Sequence, residues 1–344
     1  MKNRPSPKPV WLSEIVDAPP VEWIWHQRIP RRHLTILEGA PGKGKGMMLC
    51  DIASRLSRAK ALPDVPETQR SFRMMRTLFL SQEDDGPIFR ARVTAADGEL
   101  SCIGVLEEPM SFPNDGEVLS DMVHDYGVDL LVVDPINSYL SPKTDSYRDN
   151  DVRQALAPLR NIARRENAGV VLIRHLIKSG QGPALSRGIG SIGFTGLARV
   201  VLQLVPHGEG FALAWAKGNL SKAPSALPYT IEGDENPRVI WGEPIPGSAD
   251  DLLSGSTETG SPSDRKCAEF IIERLKQSGG NVLSAILEKE GASYGFNIPV
   301  LKRAKALLKN EGKAYSKKVG ESWFVVMNQG IKGSEPYMPD PLIP

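Results

Sequence analysis

Short, almost unbroken apolar runs recur along the first two thirds of the chain, with helix-spaced stretches between them. Leu34, Ile36 and Leu37 open the series, and the runs at 77–81, 128–134 and 169–173 continue it. Each is too short for a buried helix and rich in β-branched residues, so each reads as a strand, the run at 128–134 buried on both faces of a parallel sheet. Between the strands, 47–56, 88–96, 118–126 and 153–166 have helical character, the last interrupted by Pro158. Strand alternating with helix predicts an α/β core around a mostly parallel sheet. The stretches 197–204 and 211–216 read as paired strands extending it, and 239–241 closes it. Before the first run, 21–25 reads as a strand or clamp whose Trp23 and Trp25 suit packing better than base stacking.

The pattern changes after residue 246. Residues 247–264 are rich in Ser, Gly and Asp and read as a linker. Three amphipathic stretches (265–277, 281–290, 298–310) then precede β-type residues at 314–326 around Gly320. Three helices and a hairpin are the outline of a winged helix-turn-helix. The expected organisation is therefore a flexible segment at 1–20, an α/β domain at 21–246, the linker, a small winged-helix-like domain at 265–327, and a disordered tail at 328–344.

Composition narrows the function. The net charge of +1 over 344 residues creates no chain-wide field, so nucleic-acid contact must come from local basic clusters. Three distant cysteines (Cys50, Cys102, Cys267) have no metal-ligand spacing and suggest no disulfide framework. No apolar stretch approaches the roughly 18 residues of a membrane span, and a signal-peptide core is not evident. A soluble cytoplasmic protein is expected.

The first strand runs into Gly39, Ala40, Pro41, Gly42, Lys43, Gly44, Lys45, Gly46 and Met47, and then a helix. Strand, glycine-rich loop and helix form a phosphate-binding loop: backbone N–H groups and the helix N-terminus face phosphate oxygens, and Lys45 reaches the β/γ-phosphates. The G-x4-G-K spacing is met, but Gly46 stands where a Ser or Thr hydroxyl usually holds Mg²⁺. Nucleotide binding follows from the loop more directly than metal-assisted hydrolysis does.

Further candidates sit at strand ends. Gln82-Glu83-Asp84-Asp85 follows the second run, where Glu83 is placed to orient a water. Asp134 closes the third run as a Walker B carboxylate for Mg²⁺. His175 follows the fourth and reads equally as a γ-phosphate sensor or a structural histidine. The glycine-rich basic stretch 178–193, with Lys178 and Arg187, is a mobile loop that meets DNA phosphates or serves as a plain lid. Arg199 and Lys217, in and just past the paired strands, point at a partner subunit's nucleotide or are ordinary surface cations. Near the C-terminus, Lys302, Arg303, Lys305, Lys309, Lys317 and Lys318 belong to a seven-cation segment holding one acid, Glu311. Its last helix and wing would face DNA phosphates or form a solvated face of a protein-docking module.

In this order the motifs resemble the RepA-like hexameric replicative helicase ATPases, the AAA_25 group of the RecA/DnaB superfamily found on plasmids, phages and integrated elements. The resemblance spans about 20–242 and rests on Trp23-Ile24-Trp25 through Ile29-Pro30, GAPGKGKG, SQEDD with Arg92, LLVVDP, RHLIKSG, RGIGSIGFTGLAR and AKGN. It implies a RecA-like P-loop core using ATP and Mg²⁺ at the subunit interfaces of a homohexamer on single-stranded DNA. By the same resemblance Lys45 holds phosphates, Asp134 the metal, Glu83 is the catalytic base and His175 the sensor. Arg199 is similar to an arginine finger given to the neighbour, Lys217 to the lysine assisting it, and the loop at 178–191 to a DNA-gripping channel loop. Duplex DNA at the C-terminal domain and other replication proteins are further expected partners. Two rivals remain: an ATP-sensing DNA-binding regulator, favoured by Gly46, and a RecA-like recombination or repair mediator. If the missing hydroxyl slows turnover, Gly46→Ser should raise it.

Overall fold

The computed structural model describes residues 10–15, 20–66, 68, 71, 73–176, 188, 193–234, 237–254, 262–320 and 322–328. At the centre of a nine-stranded sheet runs β3 (Leu34–Gly39), with β7 (Gly169–His175) and β8 (Val200–His207) parallel on either side. Beyond β7 come β6 (Leu130–Asp134), β4 (Thr77–Ser81) and the edge strand β5 (Ile103–Leu106), all parallel. Beyond β8 the sheet turns antiparallel through β9 (Gly210–Gly218), β10 (Leu227–Glu232) and β11 (Arg238–Trp241). A separate ribbon pairs β1 (Trp23–Trp25) with β2 (Ile29–Pro30).

The continuous apolar runs follow from burial on both faces. Leu37, Leu130 and Val132 pack with α1 (Lys45–Ser57) and α2 (Gly86–Ala95). Their alternates Leu34, Ile36, Leu131 and Val133 pack with α3 (Gly116–Asp125), α4 (Asp149–Arg165) and α5 (Gly193–Leu197). The pleat sends successive side chains to opposite layers. Trp25 belongs to the first layer: its indole N–H donates to the Pro63 carbonyl (3.0 Å), and Trp241 meets it edge-on.

One polar row crosses this apolar sheet. Glu38 on β3 faces Arg174 on β7 and Gln203 on β8 in register. Glu38 and Arg174 are 0% and 1% exposed, and the Arg174 Nε donates to Glu38 Oε1 at 2.9 Å. The guanidinium lies 5.0 Å over the Phe194 ring.

Several elements differ from the sequence expectations. α4 continues through Pro158, whose ring fits where Gly116 at the start of α3 has no side chain. Leu197 ends α5 instead of opening a strand, so Arg199 precedes β8, while Lys217 lies inside β9. β5 and β10 carry no continuous apolar run, because both are partly exposed and hold Gly104 or Pro228 and Thr230.

Past α6 (Ala249–Ser254), α7 (Pro262–Gln277) leads to β12 (Asn281–Leu283), α8 (Ser284–Ser293), α9 (Ile298–Asn310), β13 (Ala314–Val319) and β14 (Ser322–Met327). The expected helix at 281–290 therefore starts at Ser284. Gly279 and Gly280, at φ 70° and 90°, turn the chain so that Asn281–Leu283 pairs with β14. The strands form an antiparallel sheet in the order β12-β14-β13, and Ile271, Leu287, Leu301 and Val325 share its own apolar core. Among the described residues no helix is long and apolar enough to cross a membrane. The expected loop at 178–193, with Lys178 and Arg187, falls mostly outside the described residues, as do most of the segments at 1–20 and 328–344 and the middle of the linker.

Candidate nucleotide site

β3 ends at Gly39 and α1 begins at Lys45, so the loop joining them sits at the C-terminal edge of the sheet. Gly44, the residue before the helix, has φ +77°, and a Cβ there would come within 2.5 Å of the Ile231 Cδ1. The left-handed backbone favours glycine, and any larger residue would also have to displace the end of the Ile231 side chain. β9 and β10 buttress the loop from outside: the Tyr229 hydroxyl donates to the Lys43 carbonyl (2.7 Å), and the Lys43 ammonium stands 5.0 Å over the Phe211 ring. Lys45, only 6% exposed, donates to the carbonyls of Gly39 and Ala40, both at 3.0 Å. Burial lowers its pKa, opposed by the charges of Asp134 and Glu83. The ammonium thus occupies the mouth of the loop, held by neutral oxygens where phosphate oxygens would bind it more strongly.

The acids arrive on neighbouring strands, with Ser81 of β4 level with Asp134 of β6. Burial, then the nearby Glu83 charge, pushes the Asp134 carboxyl up to about 7. His175 links the two halves: its Nδ1 is 3.3 Å from the Lys45 Nζ and its Nε2 is 3.4 Å from Glu83 Oε1. An ammonium only donates, so this arrangement assigns Nδ1 as the acceptor and Nε2–H as the donor to Glu83. The remaining acids of the cluster have different tasks. Asp84 takes the Arg92 guanidinium in a fork (2.5 and 3.3 Å), and Asp85 caps α2 by accepting from the Ile88 N–H. Lys45, Glu83, Asp84, Arg92, Asp134 and His175 line an open cleft of about 280 Å³.

The cleft suits a nucleoside triphosphate. A glycine cradle, a helix N-terminus and a buried lysine converge on one point. The fit to Mg²⁺ rests on oxygen donors. Mg²⁺ commonly takes one or two carboxylates with phosphates and water. Asp134 is such a carboxylate, raised first by burial and then by the Glu83 charge, both of which a bound cation would offset. Gly46 supplies no hydroxyl, and the described residues contain no cage of three or more His, Cys, Asp or Glu side chains.

A family model described as an AAA domain, AAA_25, matches residues 4–181. The chain belongs to that family. AAA_25 proteins are P-loop ATPases, so this family membership implies nucleotide use and usually Mg²⁺. The matched span carries Lys45, Glu83, Asp84, Arg92, Asp134 and His175, all of which the fold brings together. No curated protein is similar enough to the chain to stand as a relative.

Other candidates lie outside this cleft. The Arg199 N–H donates to the Leu34 carbonyl at the start of β3, and Val201 is level with Lys217. Arg199 therefore sits at the opposite edge of the sheet, five residues of strand from Gly39, a span of about 17 Å, whereas Lys217, level with Ile36 through Val201, lies two strands aside and three residues back from Gly39. Lys217 donates to the Thr195 carbonyl, and the charges acting on it are cations, Arg199 and Arg153. In the C-terminal unit of this AAA_25 chain, Arg303 and Lys305, expected as DNA contacts, each have an acid partner within the chain. Arg303 binds the buried Asp264 (3.0 Å), and the half-buried Lys305 approaches Glu288 (3.7 Å). Lys302, Lys309, Lys317 and Lys318 remain exposed.

Sequence reasoning overlooked Asp84, Arg92, Tyr229 and Ile231 as site residues. A usable signal existed for Arg92: it neighbours Phe89 and Val93 on the inward face of α2, an unusual place for a cation without a task.

Proposed function

We propose that the chain is a DNA-dependent ATPase of the RepA-like helicase type, a motor on single-stranded DNA that hydrolyses ATP between the subunits of a ring. The observation carrying this reading is the separation of Arg199 and Lys217 from the chain's own cleft. Neither cation lines that chain's cleft, but in a ring they would meet the neighbour's nucleotide and stabilise charge in its transition state. Within the cleft, Lys45 would bind the β/γ-phosphates and Asp134 would hold Mg²⁺, which when bound neutralises phosphate charge. Glu83 would orient the attacking water, and His175, hydrogen-bonded to both Lys45 and Glu83, would report whether phosphate is present. The C-terminal order of helix, strand, two helices and hairpin favours a winged-helix module, with Lys302, Lys309, Lys317 and Lys318 as its phosphate contacts on duplex DNA.

The deciding experiment is steady-state ATP hydrolysis by wild type and Lys45→Ala, with and without single-stranded DNA. The motor reading expects DNA to raise a rate that Lys45→Ala abolishes. A wild type that binds ATP yet turns over no faster than Lys45→Ala in either condition would leave the second reading, an ATP-sensing DNA-binding regulator, which Gly46 favours.

A further inference from the structure

The place left by the absent side chain of residue 46 is not empty space. A Cβ built on Gly46 would lie 3.3 Å from Asp134 Oδ2, 3.5 Å from the Arg92 Nη1 and 3.8 Å from Asp84 Oδ2. A guanidinium thus stands against the first turn of α1, where the sequence lacks its hydroxyl. Arg92 is not there by loose swing. Asp84 grips it with both carboxylate oxygens (2.5 and 3.3 Å), and Cys50, one turn further along α1, feels its charge. The side chain is 22% exposed, turned toward the cleft it lines. Burial pushes the Cys50 thiol up to about 12, so it stays protonated and adds no competing negative charge.

The missing side chain and the inserted cation are complementary. A serine at 46 would press its Cβ on the Asp134 carboxylate and aim a hydroxyl into the volume beside the guanidinium. With glycine, two fixed cations, Lys45 and Arg92, flank the helix N-terminus, and the guanidinium keeps N–H donors to spare beyond Asp84. A guanidinium is always charged and suits phosphate oxygens geometrically.

We propose that Arg92 is a phosphate-binding residue that takes over at Gly46 the charge-neutralising part of the hydroxyl-held metal, so that nucleoside triphosphate binds without a divalent ion. The proposal rests on the nucleotide reading of the cleft. It separates binding, which needs only the protein's own cations, from hydrolysis, for which Asp134 remains available to a metal.

The test is equilibrium binding of a fluorescent ATP analogue to the full chain, in excess Mg²⁺ and in excess EDTA. Wild-type affinity should differ by less than about threefold between the two conditions. Arg92→Gln should widen that ratio to about 10–100-fold, the value of one charge-assisted hydrogen bond to phosphate. Arg92→Lys should restore part of the metal independence. Gly46→Ser, which retains Arg92 but crowds it, should also widen the ratio and serves if Arg92→Gln fails to melt cooperatively. A wild type that already loses about tenfold or more in EDTA would overturn the proposal. So would an Arg92→Gln protein weakened equally in both conditions, which is what a merely structural pair predicts. Absence of binding in either condition would instead remove the nucleotide reading, and this proposal with it.

Discussion

Where β3 runs into the phosphate loop, charges answer one another within the chain: Arg92 with Asp84, His175 with Glu83, and Lys45 drawn by Asp134 and Glu83. Where β3 begins, cations gather, and one of them, Arg153, has an acid, Asp149, at 3.9 Å. Lys217, lowered first by burial, also feels Arg199 and Arg153, and His33, likewise lowered first by burial, feels Arg199, Arg164 and Arg32. The first end is assembled to receive a ligand and holds itself together meanwhile. The second brings like charges together. An anion from outside would relieve that crowding, and the neighbour's nucleotide is the anion the proposed ring would supply.

The strongest way to break this contrast is to mix damaged subunits. Arg199→Ala and Lys45→Ala should each lower DNA-stimulated ATP hydrolysis by about a thousandfold or more. Combined, they should regain measurable turnover, because an intact loop then faces an intact arginine. Failure of the mixture to recover would put Arg199 in the service of its own chain or of none.

The C-terminal unit repeats the contrast between engaged and open cations. Arg303→Ala removes the guanidinium paired with the buried Asp264 and should cost about 2 kcal/mol in urea unfolding. Replacing Lys302, Lys309, Lys317 and Lys318 together by Ala should leave stability nearly unchanged. It should flatten the salt dependence of duplex-DNA binding by about 3.6 in slope. An unchanged slope would remove these lysines as phosphate contacts.

The crowded end has a pH signature. Asp134 has its folded pKa raised to about 7, above an unfolded value near 4. Nucleotide-free stability is therefore fully supported below the lower value and falls as pH rises through the upper one. Asp134→Asn, which cannot ionise, should melt several degrees higher than wild type at pH 8, and the gap should shrink toward zero as pH is lowered to 4. A gap independent of pH would contradict the assignment. The smallest effect belongs to His124, raised by its hydrogen bond to Glu166 on an exposed surface. That pair adds stability below its ordinary pKa and loses it as pH rises, so His124→Ala should lower the melting temperature by a degree or less at pH 5.5 and by nothing at pH 8.

The parallel core was legible because burial on both faces writes itself as unbroken apolar runs, as at Leu130–Asp134. The edge strand Ile103–Leu106 was not, since a half-exposed strand mixes its residues, whereas the opposite edge at 239–241 was read. The phosphate loop was legible because its chemistry is local in sequence. Arg92 was visible only as a helix cation, since its importance comes from Gly46 and Asp84, reached through the fold. Arg303 and Lys305 counted as open charge for the opposite reason: Asp264 and Glu288, far along the chain, neutralise them.

The polar row across the central strands bears on how the molecule could move. Sliding β3 past β7 would pull Glu38 off Arg174 in surroundings that offer no water, at about 3–5 kcal/mol. The strand that ends in the phosphate loop and the strand that ends in His175 are in effect pinned into one plate. Motion driven by nucleotide must then leave the plate unsheared and travel through what is hung on its rim.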